Sequence, residues 1–323
     1  MAKLHEVSKT NGEIRMPKDF PNDRLAMLRQ RYRIKSKLCR NVLCEFLCTT
    51  FLIYVTFCGT AQTVLSRFQM NNFVGHPISQ GFGLIFAVQM GYQISGSHLN
   101  PAVSLFLYSF GEIQFINLIL YTIAQTAGAF CGAALTFGIY YEKIHQFDGG
   151  RRAVMGENAT AGIFATFPGS HLSILGAVWD QIWCTAIMCI IVGLITDKRN
   201  QIPKWVQPSL MGIMLITICM SFGLNAGNAM NPARDFAPRV FLLIAGYGPQ
   251  VFSYHSYQWW WVPVICPPIG ALLGAWLYKL LIGIQIPSND EPLSRRKKSD
   301  FGTIHIYQIN TSPTSDVNPK FPQ

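Results

Sequence analysis

The sequence predicts an all-α membrane protein with six transmembrane helices and two re-entrant half-helices, arranged as an inverted internal repeat. Three observations lead there. Half of the 323 residues are hydrophobic and only 13% are charged, against about 25% in ordinary soluble domains. Apolar runs long enough to cross a bilayer recur along the chain. The triplet Asn100-Pro101-Ala102 returns in the second half as Asn231-Pro232-Ala233, and each copy leads into an apolar stretch too short to cross.

The net charge of +10 does not point to nucleic acid, because the basic residues are not interleaved with aromatics on a soluble surface. They gather at the ends: Lys3, Lys9, Arg15, Lys18, Arg24, Arg29, Arg31, Arg33, Lys35, Lys37 and Arg40 before the first apolar run, and Arg295-Arg296-Lys297-Lys298 after the last. By the positive-inside rule both termini are expected in the cytoplasm, which requires an even number of crossings. No charged n-region with a short apolar core and cleavage site opens the chain, so no cleaved signal peptide is expected. The nine cysteines form no CxxC pair, which argues against a disulfide framework or a zinc site. Neither a paired nucleophile and base nor a metal-ligand cluster is present, so no enzyme, cofactor or metal is implied.

Taken in order, the first span covers about residues 43–65 and carries Glu45 near its cytoplasmic end. The second, about 78–94, is rich in glycine (Gly81, Gly83, Gly91), which lets neighbouring backbones approach closely. The first triplet and a stretch to about Tyr108 follow. The third span, about 115–140, contains Gln125 and Gly128-x-x-x-Gly132, and the loop after it is the longest between spans. Asn158-Ala159-Thr160 in that loop is a glycosylation sequon, usable only if the loop lies outside the cell; Asn310-Thr311-Ser312 in the C-terminal tail reads as a chance match.

The second half repeats this order: a span at about 172–195 with Asp180, a span at about 206–222, the second triplet with a short stretch to about Ala245, and a span at about 259–284 with Gly270-x-x-x-Gly274. Asp180 follows Glu45 at an offset close to the one between the triplets and is taken as its counterpart. Three spans per half invert the second half in the membrane, a common way to build a transport path from broken helices. The expected organisation is a basic tail at 1–40, a channel domain at 41–285 with repeats at about 41–141 and 172–285, and a flexible cytoplasmic tail at 286–323 whose composition cannot bury a core.

Each Asn-Pro suits a helix start, since the Asn side chain caps free backbone N–H groups and Pro at the first helical position gives up an N–H that had no partner. Each half-helix N-terminus brings roughly half a positive charge to the midplane. Arg234, within a membrane-spanning half, is a functional candidate because a buried guanidinium needs a wet cavity or a partner. Glu45 and Asp180 are expected to accept hydrogen bonds from the irregular backbone of the triplet loops, since such backbone at membrane depth must find partners. Gln125 is expected to do similar work.

The pieces Ser95–Val103, Ala159–Pro168, Asn231–Arg239 and Trp259–Pro263 together resemble the major intrinsic protein (aquaporin) family, and within it the aquaglyceroporin branch. The resemblance covers about residues 40–285. It implies a pore in each subunit of a homotetramer, a plasma-membrane location, and passive conduction of water and small polyols or urea through the lipid bilayer with ions and protons excluded. Asp235, Arg239 and Pro263 are the markers of the glycerol branch, His98 resembles a vestibule position, and Arg234 would form the outer constriction. Counting without gaps, the other filter positions fall on Gln80, Cys219 and Asn228, where glycerol channels usually place an aromatic; a local gap would bring in Phe82 instead of Gln80. Two further readings stay open on that filter: a water-preferring channel, and a poorly conducting junctional or scaffolding protein on the same fold.

Overall fold

A computed structural model describes residues 9–10, 13–14, 24–256 and 258–287. The basic run at 295–298 and the sequon at Asn310 lie outside the described residues. A two-residue antiparallel pair, β1 (Lys9–Thr10) and β2 (Glu13–Ile14), and a short helix α1 (Arg24–Tyr32) precede the bundle.

The bundle begins at α2 (Lys37–Leu65), capped by the Ser36 hydroxyl, which accepts from the Cys39 N–H at 3.3 Å. Then come α3 (Gly75–Gly91), the half-helix α4 (Pro101–Ser109) and α5 (Phe115–Asp148). The second half comprises α6 (Ile174–Thr196), α7 (Gln207–Ala226), the half-helix α8 (Pro232–Leu242), a single short turn α9 (Gln250–Ser253) and α10 (Val262–Leu277). The last crossing extends through a π turn at Tyr278–Ile282 and a 3-10 turn to Gln285. Helix α3 is the shortest crossing, 17 residues or about 25 Å at 1.5 Å per residue, the lower end of what spans a hydrocarbon core. Six crossings leave both ends of the bundle on one side, called the near side below.

The two halves are built alike. Helix α2 packs on α5 and α6 on α10, while α3 meets α7 between the halves. The paired glycine spacings explain the first two contacts. A Cβ on Gly128 would lie 2.5 Å from the Phe46 carbonyl oxygen and one on Gly132 2.8 Å from that of Thr50. The equivalent distances are 2.2 Å from Gly270 to Ile182 O and 2.0 Å from Gly274 to Ala186 O. Only glycine lets these backbones meet. Gly274→Ala is accordingly expected to destabilise by about 1–3 kcal/mol, the usual penalty of overpacking, seen as a lower thermal midpoint in detergent. Gly138→Ala, where nothing lies within 4 Å of the new methyl group, should leave the midpoint unchanged or raise it.

Candidate functional site

The site is two loops that meet at the middle of the bundle. Before α4, residues Gly96, Ser97 and Leu99 have φ of 89°, 53° and 56°; before α8, Gly227, Asn228 and Met230 have 76°, 52° and 46°. Gly96 matches Gly227, Ser97 matches Asn228 and Leu99 matches Met230, each at the same offset as the two triplets. Two non-glycine residues per loop in the left-handed region store local strain that the surroundings must hold.

At the end of each loop the asparagine does two things. Asn100 Oδ1 accepts from Ala102 N at 2.8 Å, and Asn231 Oδ1 accepts from Ala233 N at 3.0 Å and Arg234 N at 3.2 Å, capping α4 and α8. Their amide nitrogens cross: Asn100 Nδ2 donates to Met230 O at 2.9 Å and Asn231 Nδ2 donates to Leu99 O at 2.8 Å. One proton of each amide is thus spent on the opposite loop and the second is left for the cavity that both residues line. Pro101 and Pro232 take the first helical positions and Ala102 and Ala233 pack with almost no exposed surface.

The first loop is braced by Glu45, which is fully buried. Its carboxylate accepts from Ser95 Oγ at 2.6 Å, His98 N at 3.0 Å, Leu99 N at 2.8 Å and Gln125 Nε2 at 2.9 Å. Gln125 reaches Glu45 and Ser104 Oγ rather than loop backbone. His98 lines the cavity, with Nδ1 3.1 Å from Ser104 Oγ and its ring edge-on to Tyr121. In the second half the expectation for Asp180 fails. Gln181 takes the place of Glu45: its Oε1 accepts from Met230 N at 3.4 Å, the residue equivalent to Leu99. Among the described residues Asp180 binds side chains alone, accepting from Gln181 Nε2 at 3.0 Å and Asn225 Nδ2 at 2.9 Å. Adjacent residues on a helix point about 100° apart, so Asp180 faces away from the loop and orients the residue that does not.

A cavity of about 780 Å³ runs through the bundle from Arg234, Asn228, Gln80, Thr60 and Phe57, past Asn100 and Asn231, to Glu112, Lys198, Lys204 and Lys279 on the near side. Gln80 faces it, whereas Phe82 is 51% exposed on the outside of the bundle. Asn228 also faces it. Cys219 does not line it: its thiol donates to Gln80 Oε1 at 3.5 Å. The feature missed from sequence is Phe57. It lies on α2, lines the cavity, and carries the Arg234 guanidinium over its ring at 4.9 Å. The Arg234 end of the cavity therefore does have an aromatic wall, contributed by a helix that the counting of filter positions never reached.

Arg234 Nη1 donates to Phe164 O at 3.2 Å, which leaves its remaining N–H groups for the cavity. The loop that supplies Phe164 is clamped to α8. Asp235 accepts from Thr166 N at 2.8 Å and Thr166 Oγ1 at 2.5 Å, and pairs with Arg239 at 2.8 Å. Arg239 donates to Val251 O and Thr166 O, and Trp259 Nε1 donates to Thr166 O at 2.6 Å. Asp235 and Arg239 are both fully buried. Arg234 lies 3.8 Å from Asp235, a looser approach than that of Arg239 one turn on. Pro263 is buried in the first turn of α10, and Asn158 is exposed on the far side, its Oδ1 held by Arg67 at 2.9 Å.

At the near-side mouth, Arg199 pairs with Asp197 at 2.5 Å. That bond holds the Asp197 carboxyl down at about 2.

Residues 33–278 match the family model described as major intrinsic protein. The chain is 42% identical over 274 residues to aquaporin-9 of Homo sapiens, covering 84% of this chain and 92% of that protein. It is 36% identical over 261 residues to human aquaporin-10, covering 80% and 86%. The X-ray structure of the aquaglyceroporin from Plasmodium falciparum superposes with a TM-score of 0.69 at 25% identity, over 76% of this chain and 98% of that one. The chain belongs to the major intrinsic protein family, in its aquaglyceroporin branch, and is a passive channel for water, glycerol and small solutes.

Proposed function

We propose that the cavity between the two asparagine loops is the conduction path, that Gln80, Asn228 and Arg234 select at its narrow end, and that ions and protons are turned back at the loops. The observation that carries this is the crossed pair Asn100 and Asn231. Each caps a half-helix whose N-terminus points into the cavity, and each keeps one amide proton for a passing oxygen. A water or hydroxyl held by donors on both sides cannot pass a proton on in line, and two positive helix ends with an arginine repel cations. At the narrow end, Arg234 offers donors, Gln80 and Asn228 offer amides, and Phe57 supplies the apolar wall that a carbon backbone prefers. Urea and small polyols both suit that combination.

The protein sits in the plasma membrane as a homotetramer with both termini in the cytoplasm. In that orientation the near-side mouth with Lys198, Lys204 and Lys279 is cytoplasmic, in agreement with the basic tails, and Asn158 is extracellular and open to glycosylation.

Vesicles containing the purified protein, loaded with a pH-sensitive dye and placed in a water gradient, test this reading. Fast shrinkage with a retained pH gradient is expected. A protein-dependent collapse of the pH gradient would show that protons pass, and an absence of water flux would favour the scaffolding role.

A further inference from the structure

One ring nitrogen near the narrow end has two polar neighbours and can satisfy them in only one way at a time. His76, in the first turn of α3, places Nε2 2.9 Å from Thr60 Oγ1 and 2.7 Å from Gln80 Nε2. The Thr60 hydroxyl already donates to Thr56 O at 3.0 Å. Gln80 follows His76 by one turn of the same helix, so both side chains lie on one face. On its other side Gln80 Oε1 accepts from the Cys219 thiol. A chain of contacts thus runs from α2 through His76 to the one amide of α3 that lines the passage.

An imidazole nitrogen is either a donor or an acceptor. As an acceptor, Nε2 takes an N–H from Gln80 and turns the amide oxygen toward Cys219 and the passage. As a donor, it requires the amide to be reversed. Arg234 lines the same cavity and can only donate. An amide oxygen facing Arg234 makes an acceptor–donor pair that satisfies both functions of a hydroxyl group. A reversed amide makes two donors, which suit the carbonyl of urea and leave the hydroxyl proton of a polyol without an acceptor.

We propose that His76 is a positioning residue of the filter: through Nε2 it fixes which end of the Gln80 amide faces the passage, and so sets the preference for hydroxylated solutes over urea. This rests on the reading of Gln80 as a filter residue. Thr60 Oγ1 is the alternative partner: with its own proton on Thr56 O, it accepts from the ring only when Nε2 carries a proton, the state that reverses the amide.

The test is the glycerol-to-urea permeability ratio in proteoliposomes, which does not depend on how much protein is reconstituted. Four proteins are compared with the wild type: His76→Leu, His76→Gln, Gln80→Ala, and the His76→Leu/Gln80→Ala double variant. Loss of one orienting hydrogen bond should lower the ratio about three- to tenfold in His76→Leu. Gln at position 76 can still accept from the amide and should restore most of it. The double variant should match Gln80→Ala alone, because His76 acts through Gln80. If His76→Leu does not yield monodisperse protein, His76→Met takes its place. A wild-type ratio in the position-76 variants, with a changed ratio in Gln80→Ala, would overturn the role of His76 and leave the filter reading standing. An unchanged ratio in Gln80→Ala would overturn both.

Discussion

Asp235→Ala is expected to abolish accumulation of folded protein or to lower its thermal midpoint more than any other single change considered. The substitution strips the counter-charge from Arg239 where both side chains are fully buried. It also removes the acceptor for Thr166 N and Thr166 Oγ1. Breaking a buried pair by deleting one partner costs about 3–5 kcal/mol, a large part of a typical stability of about 5–15 kcal/mol. The damage would spread to the filter, because the clamped loop is the one whose Phe164 carbonyl holds Arg234. Removing both charges in Asp235→Leu/Arg239→Met should recover much of the loss, since an apolar pair leaves no uncompensated charge. Size-exclusion profiles after graded heating would check this; an Asp235→Ala protein with the wild-type midpoint would mean that Arg239 is satisfied by carbonyls alone.

Glu45→Ala is expected to reduce water and glycerol flux per channel by at least about tenfold and to destabilise the fold as well. Its four donors, on Ser95, His98, Leu99 and Gln125, would lose their acceptor, and the bonds from Leu99 and Gln125 are buried, where each unsatisfied group costs about 1–3 kcal/mol. The same bonds hold Ser97 and Leu99 in their left-handed conformations, and Asn100 follows directly. Without them the loop can relax and carry the Asn100 amide out of line with Asn231. Glu45→Gln should be milder, because the second half already uses an amide, Gln181, at the equivalent place. Flux per channel in reconstituted vesicles separates the cases, and a Glu45→Ala channel conducting at the wild-type rate would show that the crossed asparagine bonds alone hold the loop.

Much of this was legible in the chain itself. Span lengths, the two triplets and the paired glycine spacings led to the six crossings and two half-helices, because each rests on local rules that tertiary context does not override. Positions reached by counting between the halves were less secure. The offset between the halves is not constant: it widens from the triplets (Asn100 to Asn231) through the loop acceptors (Glu45 to Gln181) to the glycines (Gly128 to Gly270), since the connecting segments differ in length. Asp180, chosen by offset, therefore fell just short of its neighbour Gln181. A local match would have corrected it: Glu45-Phe46-Leu47-Cys48-Thr49 aligns with Gln181-Ile182-Trp183-Cys184-Thr185. The matching property is a buried acceptor followed one turn later by a buried threonine, and the charge is not part of it.

Phe57 and His76 could not be found by fixed offsets from Asn100 or Arg234. Phe57 lines the cavity from α2 and His76 reaches Gln80 from one turn earlier in α3, and α3 is seated on the second half by the close approach of Gly81 to the Gly212 carbonyl, 2.7 Å from a Cβ at Gly81. That contact is visible in space and has no signature in spacing. Cys219 shows the converse: it lies at a counted filter position, yet its side chain bonds Gln80 and does not line the cavity.

The most direct test of the conduction path and its filter is paired osmotic swelling of proteoliposomes carrying the wild-type protein, in water, glycerol and urea gradients. Flux of all three well above that of protein-free vesicles is expected, with Arg234, Gln80, Asn228 and Phe57 accommodating both the hydroxyl groups and the carbon backbone. Water flux with glycerol and urea held at the protein-free rate would contradict it, and would mean that the polar side chains close the narrow end to anything wider than water.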